Sequence, residues 1–257
     1  MLRLIAFFYS AICYLSFLGV FLYAIGFVGN MIVPKAIDSG AVTDFGSALL
    51  INLLLLSLFA IQHTVMARPF FKKVWTRLVP ESIERATYVL LSNVALALIY
   101  WQWRPMTADI WVVESTIGQV ALNGLFWVGW LIVLLATFMI NHFELFGLRQ
   151  TWYPLIGKEP TETPFQTTGF YNYVRHPLML GFLIAFWATP HMTFGHLLFA
   201  AVTTGYILVG TWFEERDLVA ALGDDYVAYR KRVLMLIPSI PKKRTAEATT
   251  DSGVAER

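Results

Sequence analysis

The sequence contains few charged residues. Asp, Glu, Lys and Arg make up 14% of its 257 residues, against about 25% in a typical soluble domain. More than half of the chain lies in five stretches that contain none of them, at 4–34, 45–67, 86–103, 115–143 and 176–213. Since a membrane span needs about 20 mostly apolar residues, this composition excludes a soluble enzyme and a disordered protein. The net charge of +2 is too small to indicate a polyanionic partner, so no nucleic acid partner is predicted.

The sequence is also poor in the residues that most often bind metals. Its single cysteine, Cys13, cannot form an intrachain disulfide, and no Cys-x-x-Cys pair is present for zinc or redox chemistry. The five histidines are scattered along the chain and cannot supply the many ligands of a membrane di-iron site. We therefore predict a protein without a metal cofactor.

The charge-free stretches predict membrane helices. The last of them is too long for one span and is interrupted by Pro190 and Gly195. Because proline removes a backbone donor, a helical hairpin is favoured there over one long helix. The expected helices cover 4–28, 47–66, 86–103, 119–140, 177–189 and 194–213. The sequence thus predicts an all-α integral membrane protein with about five to six membrane helices, including a C-terminal helical hairpin.

Basic residues outside the spans indicate the orientation in the bilayer. The loop at 67–85 carries five basic and two acidic residues, and the segment 230–244 carries six basic residues. Because cytoplasmic loops are enriched in Lys and Arg, both termini and the C-terminal helices are expected in the cytoplasm. We predict one domain over 1–238, with a catalytic core at about 141–238, and a disordered tail at 239–257.

Polar residues that could support chemistry are concentrated in two segments on this predicted cytoplasmic side, 141–176 and 214–238. In the first, Arg175-His176-Pro177 leads into the hairpin. Proline suits the first turn of a helix, and the free N–H groups of that turn can bind an anion. Because these polar segments lie on one side of the membrane, we predict a site at the cytoplasmic interface rather than a transport path across the membrane.

Further polar residues lie near the cytoplasmic ends of the other spans. Gln62 and His63 are inside the second span, Arg85 and Tyr88 open the third, and His142 follows the fourth. A lone intramembrane histidine is often only a hydrogen-bonding contact between helices. The neighbouring Gln62 favours a polar pocket wall instead.

Segment 169–238 resembles the C-terminal core of the isoprenylcysteine carboxyl methyltransferase superfamily. The shared residues are Tyr173-Val174-Arg175-His176-Pro177, Gly181, Glu214-Glu215, Leu218, Gly223, Tyr226, Tyr229, Val233 and Pro238. Three further segments, 62–69, 85–89 and 141–150, resemble the nurim-like branch of this superfamily. Within the branch the similarity is greatest to bacterial enzymes that methylate methanethiol, and it extends through nearly the whole chain.

The resemblance implies a methyltransferase of the bacterial cytoplasmic membrane that moves a methyl group from S-adenosylmethionine to methanethiol, a small volatile thiol, giving dimethyl sulfide. In the superfamily the Arg-His-Pro segment and the Glu-Glu helix line the cofactor cavity. The cofactor-binding residues implied here are Tyr173, Arg175, His176, Pro177, Gly181, Glu214, Glu215, Tyr226 and Tyr229. Carboxyl methyltransferases usually have an arginine one turn before the acidic pair, where this chain has Gly210 and Thr211. This departure argues against a carboxylate substrate.

The chemistry of thiol methylation suggests a second group of residues. The thiolate is the nucleophile, and a simple alkyl thiol is mostly protonated near neutral pH, so a base or a positive field should assist it. The predicted proton acceptors are His142 and His63, with Tyr88 or Arg85 orienting them.

Two other functions stay open from the sequence. One is a carboxyl methyltransferase acting on a prenylated or other lipid substrate, which would need a cation to hold the carboxylate. The other is a non-catalytic membrane protein of the nurim type, which would bind no cofactor.

Overall fold

The computed structural model describes residues 1–159 and 167–239. In chain order its helices are α1 (Leu2–Val28), α2 (Phe45–Ala67), α3 (Pro69–Trp75), α4 (Glu81–Gln102), α5 (Thr116–Ile140), α6 (His142–Leu145), α7 (Arg149–Leu155), α8 (Pro177–Trp187), α9 (Phe194–Leu222) and α10 (Asp224–Arg232). A 3₁₀ turn covers Gly169–Asn172, and two short strands are β1 (Asp109–Val112) and β2 (His191–Thr193). Of the predicted tail, residues 240–257 lie outside the described residues.

Within the described residues, five helices are long and apolar enough to cross a membrane, namely α1, α2, α4, α5 and α9. The shorter apolar helix α8 forms the first arm of the C-terminal hairpin. Large apolar side chains remain exposed along these helices, such as Leu22, Leu54 and Val120. An apolar exterior of this kind suits contact with lipid rather than water. The predicted all-α integral membrane architecture is confirmed.

Two helices extend beyond their predicted ends because charged residues continue them outside the apolar stretch. Helix α4 begins at Glu81 rather than at 86, with Glu81 and Glu84 in its first turn, where acidic side chains favour the helix dipole. Helix α9 continues past 213 to Leu222 and is capped by Gly223, whose φ is +58°. The acidic pair Glu214-Glu215 therefore lies inside a helix, and not beyond its expected end at 213.

The hairpin is interrupted where the sequence predicts it. Pro177 is the first residue of α8, which ends at Trp187, and α9 begins after Thr193, whose side chain accepts a hydrogen bond from the His196 N–H. Between them β2 pairs antiparallel with β1, with Trp111 opposite Met192. This small sheet, which the sequence did not predict, attaches the turn of the hairpin to the connection between α4 and α5.

Helices α5 and α8 approach closely through two glycines. A Cβ atom on Gly129 would lie 2.7 Å from the Gly181 carbonyl oxygen, and one on Gly181 would lie 2.7 Å from the Gly129 carbonyl oxygen. Small residues allow such backbone approach between membrane helices. The contact fixes the beginning of α8, where the first group of predicted site residues lies.

Candidate active site

A buried ion-paired cluster joins the start of α8 to the last third of α9. Glu215 is its centre: Oε1 lies 2.6 Å from Nε of Arg175 and 3.2 Å from Nε2 of His176. Its second oxygen, Oε2, lies 3.3 Å from Nε of Arg230 in α10. Each carboxylate oxygen therefore has a cationic or hydrogen-bonding partner, as a buried charge requires.

The segment that follows α10 is hydrogen-bonded to this cluster. The backbone N–H groups of Arg175 and His176 donate to the carbonyls of Leu234 and Met235, at 2.9 and 3.1 Å. The Arg175 guanidinium also donates to the Val233 carbonyl at 2.6 Å. The Arg-His-Pro segment and the C-terminal segment are thus bound to each other through both backbone and side chains.

The two glutamates differ in their surroundings. The side chain of Glu215 is 7% exposed and fully paired, whereas that of Glu214 is 47% exposed. Oε2 of Glu214 lies 3.6 Å from Nδ1 of His176. Glu215 is therefore the structural centre of the cluster, and Glu214 presents a carboxylate that a ligand can reach.

The predicted tyrosines do not all face this carboxylate. Tyr226 and Tyr229 are buried and pack with Leu218 of α9, and the Tyr229 hydroxyl donates to the Tyr171 carbonyl at 2.6 Å. Burial raises the pKa of Tyr229 to about 12. These contacts place both residues in the packing between α9 and α10. Their predicted contact with a cofactor stays a prediction.

Tyr171 is a neighbour of Glu214 that the predicted set lacks. Burial raises the pKa of Tyr171, and the negative charge of Glu214 raises it further. Tyr173, the predicted residue, is 51% exposed and uses its carbonyl to accept from the Ser239 N–H. Both tyrosines belong to one motif, in which the 3₁₀ turn at Gly169–Asn172 contains Tyr171 and ends before Tyr173.

Gly181 is explained by helix packing. The space beside its Cα is filled by Gly129 and Val133 of α5. Its predicted role in cofactor binding stays a prediction, whereas its role in bringing α8 against α5 is visible.

His142 is buried immediately after α5 and has two hydrogen-bond partners. Its Nδ1 lies 2.8 Å from the Thr137 hydroxyl, and its Nε2 lies 2.8 Å from the Tyr14 hydroxyl of α1. The ring stacks on Phe138 with centroids 4.3 Å apart. Burial lowers the pKa of His142, so the neutral imidazole is favoured.

His63, Tyr88 and Arg85 form one group between α2 and α4. The rings of His63 and Tyr88 have centroids 4.9 Å apart, and the Arg85 guanidinium lies 5.1 Å from the Tyr88 ring centroid. Nδ1 of His63 lies 3.1 Å from the Ser92 hydroxyl. The structure therefore brings together three of the four residues predicted for the acceptor side. Arg85 links them to α6 by donating to the Leu145 carbonyl at 2.8 Å.

Helix α9 lies between the acceptor group and the Glu215 cluster. On one face Tyr206 approaches His63, with ring centroids 6.4 Å apart, and Asp217 forms a 2.8 Å ion pair with Arg68. At about 100° per residue, Glu215 is on the opposite face from Tyr206. The carboxylate of Glu214 lies between these two faces.

A cavity of about 220 Å³ is located away from both groups. It lies at the end of α1, the start of α5 and the end of α8, and its walls include Phe126, Pro190 and His191. The predicted site residues are instead at the other ends of α5 and α8. The cavity therefore gives no support to the predicted site.

Comparison with known proteins identifies the family. Residues 51–225 match the NnrU protein family. The chain is 59% identical over 238 residues to the methanethiol S-methyltransferase of Mycobacterium tuberculosis, covering 93% of this chain and 98% of that protein. The chain belongs to the methanethiol S-methyltransferase family. It is therefore an enzyme, a methyltransferase, and the family predicted from the sequence is confirmed.

Other relatives agree with this membership. The family member called methanethiol S-methyltransferase 2 from Bradyrhizobium diazoefficiens is 53% identical over 245 residues, covering 95% of this chain and 94% of its own length. Nurim of Mus musculus is 28% identical over 176 residues, covering 65% of this chain and 66% of its own length. No solved structure matches the chain.

Proposed function

We propose that the protein transfers a methyl group from S-adenosylmethionine to methanethiol and so produces dimethyl sulfide. The names of its bacterial relatives support the reaction and the thiol substrate. The structural observation that carries the proposal is the cluster in which Arg175 and His176 meet Glu215, beside the half-exposed Glu214.

The residues of this cluster fit a cationic methyl donor. Arg175 and Arg230 compensate the charge of Glu215, so Glu214 carries the negative charge that remains available. The charge of Glu214 raises the pKa of Tyr171, and an aromatic ring in this part of the site would also be favourable for a cation. The N–H groups at the start of α8, which begins at Pro177, could receive a carboxylate of the donor. When bound, S-adenosylmethionine would supply an electrophilic methyl group on a positively charged sulfur.

The acceptor side is proposed at the group between α2 and α4, with His142 near it. His63 or His142 would accept the thiol proton, since the thiolate is the reactive form. The positive charge of Arg85, held against Tyr88, favours a thiolate in its neighbourhood. Phe17 and Phe146 stack with their centroids 3.7 Å apart. They pack against the cluster that contains Tyr88 and keep this region apolar.

We propose that the site faces the cytoplasm and that the membrane is the bacterial inner membrane. The basic loop at 67–85 and the basic residues of α10 support this orientation. Both termini are then cytoplasmic. A polar donor would reach Glu214 from water, whereas a small apolar thiol could arrive through the bilayer.

The proposal is tested with purified protein, S-adenosylmethionine and either methanethiol or a prenylcysteine. The headspace is analysed for dimethyl sulfide by gas chromatography, and prenylcysteine methyl ester is measured in solution. We expect dimethyl sulfide and no ester. Ester formation without dimethyl sulfide would show that the substrate is a carboxylate and not a thiol. The absence of both products would contradict the proposed reaction.

One observation weighs against the carboxyl-methylating alternative. Thr211 is buried and its hydroxyl donates to the Ile207 carbonyl at 2.8 Å, while Gly210 has no side chain. Neither position supplies the cation that a carboxylate substrate would need.

A further inference from the structure

The hydroxyl of Ser92 contacts His63 and favours one of the two tautomers of its ring. Ser92 Oγ donates to the Tyr88 carbonyl, one turn earlier in α4, at 2.9 Å. A serine hydroxyl has a single hydrogen, so toward His63 Nδ1, at 3.1 Å, Ser92 can only accept. This arrangement favours the tautomer with the hydrogen on Nδ1 of His63 and the lone pair on Nε2.

This lone pair is available to a ligand. Within residues 1–159 and 167–239, Nε2 of His63 has no hydrogen-bond partner. The neighbouring Gln62 has a buried amide oxygen, Oε1, that also lacks a partner in the same residues. Buried polar atoms normally have partners, so the unpaired Gln62 oxygen, next to the partly exposed His63, indicates a place where a bound molecule supplies a donor.

His142 has the same tautomer but a different environment. Thr137 donates its hydroxyl hydrogen to the Leu134 carbonyl at 2.6 Å, and so accepts from Nδ1 of His142 at 2.8 Å. Nε2 of His142 is then an acceptor as well, but it is occupied by the Tyr14 hydroxyl at 2.8 Å. Of the two histidines, only His63 has its unprotonated nitrogen open.

We propose that Nε2 of His63 accepts the proton of the thiol substrate, and that Ser92 is the positioning residue that holds His63 in the required tautomer. This inference rests on the proposed function. In the step, the S–H bond breaks, its electron pair stays on sulfur as the thiolate, and an Nε2–H bond forms. The imidazolium later returns the proton to water.

The surroundings of His63 suit this step. The charged and titratable groups that face it are Arg85 and Tyr88 from α4 and Tyr206 from α9. The ring of Phe59, in its own helix, stacks on it with centroids 5.1 Å apart. The aromatic rings fix the plane of the imidazole, and the Arg85 guanidinium favours the thiolate that the step produces.

The first test observes the tautomer directly. Protein labelled with ¹⁵N in histidine is examined by NMR without any donor or thiol, since protonated and unprotonated ring nitrogens have different chemical shifts. The His63 signals are identified by their loss in His63→Gln. We expect an unprotonated Nε2 in the wild type and a mixture of both tautomers in Ser92→Ala. A wild-type ring with its hydrogen on Nε2 would overturn the proposal.

The second test separates catalysis from structure. Ser92→Ala should lower kcat about fivefold, the effect of one lost hydrogen bond, and His63→Gln about 100-fold. Neither should change the affinity for S-adenosylmethionine. Ser92→Thr keeps the hydroxyl and should restore kcat.

A matched control is available on the same helix. Thr87 donates to the Ile83 carbonyl at 2.9 Å and accepts from the Tyr9 hydroxyl at 3.0 Å. Thr87→Val thus removes an equivalent hydroxyl that serves a tyrosine instead of a histidine, and it should leave kcat unchanged. Equal kcat in Ser92→Ala and the wild type would refute the role of Ser92, whereas a wild type without methyl transfer would refute the proposed function itself.

Discussion

Nε2 of His176 lies 3.2 Å from Oε1 of Glu215, although the two residues are 39 positions apart. Helix α8 is only about 16 Å long, whereas α9 covers about 33 Å between its start and Glu215. The segment 188–193 between the helices, which includes β2, can span up to about 20 Å in an extended conformation. The break in the hairpin therefore makes up the difference in length, and it lets the start of the short arm meet the acidic pair of the long arm.

The two glutamates of α9 should respond differently to neutralisation. Glu215→Gln leaves Arg175 and Arg230 without their buried counter-charge, so we expect a loss of about 3 kcal/mol in the free energy of unfolding. Glu214→Gln should have little effect on thermal unfolding in detergent. It should instead weaken S-adenosylmethionine binding about fivefold in calorimetric titrations, since one charge interaction of about 1 kcal/mol is lost.

Asp217→Asn is the matched control for Glu214→Gln. Asp217 is also half exposed on α9, but it pairs with Arg68, away from the Glu215 cluster. Its replacement should leave the affinity unchanged. Equal weakening in both variants would mean that the general negative charge of α9, and not Glu214, attracts the donor.

The contact between α5 and α8 should tolerate no added methyl group. In Gly181→Ala the new Cβ would lie 2.7 Å from the Gly129 carbonyl oxygen, and overpacking of this kind costs about 1–3 kcal/mol. Gly205→Ala on α9, where nothing lies within 4 Å, should not lower the thermal midpoint. If both variants unfold at the wild-type temperature, α5 and α8 do not approach as closely as described here.

Tyr229 should contribute to stability through its hydroxyl. Tyr229→Phe removes the 2.6 Å bond to the Tyr171 carbonyl, at an expected cost of about 1 kcal/mol. Tyr173→Phe, at an exposed side chain, should have no measurable effect on thermal unfolding. Similar losses in both variants would contradict the different burial of these residues.

The stability of the fold should depend on pH through His142. Burial lowers the pKa of His142 below its ordinary value of 6.5, so the unfolded chain binds the proton more strongly than the folded one. The stabilisation that the buried, neutral His142 contributes is present above pH 6.5, and it is lost as the pH falls toward the lowered pKa. We expect the thermal midpoint to fall more steeply between pH 7 and pH 5 in the wild type than in His142→Gln. Parallel curves would show that His142 does not contribute to this dependence.

The absence of charge was sufficient to predict the spans, because lipid contact excludes charged side chains over a whole helix. It could not give the ends of α4 and α9, where Glu81 and Glu214 continue the helix into polar surroundings. The strands β1 and β2, of four and three residues, are too short to show an alternating pattern.

The site was predictable only in part. The resemblance indicated Arg175, His176 and Glu215, and the structure brings them into contact. Ser92 and Tyr14 could not be recognised, because both lie inside apolar spans and their histidine partners are 29 and 128 positions away. Hydrogen bonds over such separations depend on how the helices pack, which periodicity and charge do not specify.

The most direct test of the proposed reaction follows the methyl group itself. Purified protein is incubated with S-adenosylmethionine that carries a deuterated methyl group and with unlabelled methanethiol, and the dimethyl sulfide in the headspace is analysed by mass spectrometry. We predict dimethyl sulfide with one deuterated and one ordinary methyl group, formed at a rate that falls in His63→Gln. Dimethyl sulfide without the label, or no dimethyl sulfide at all, would contradict the account.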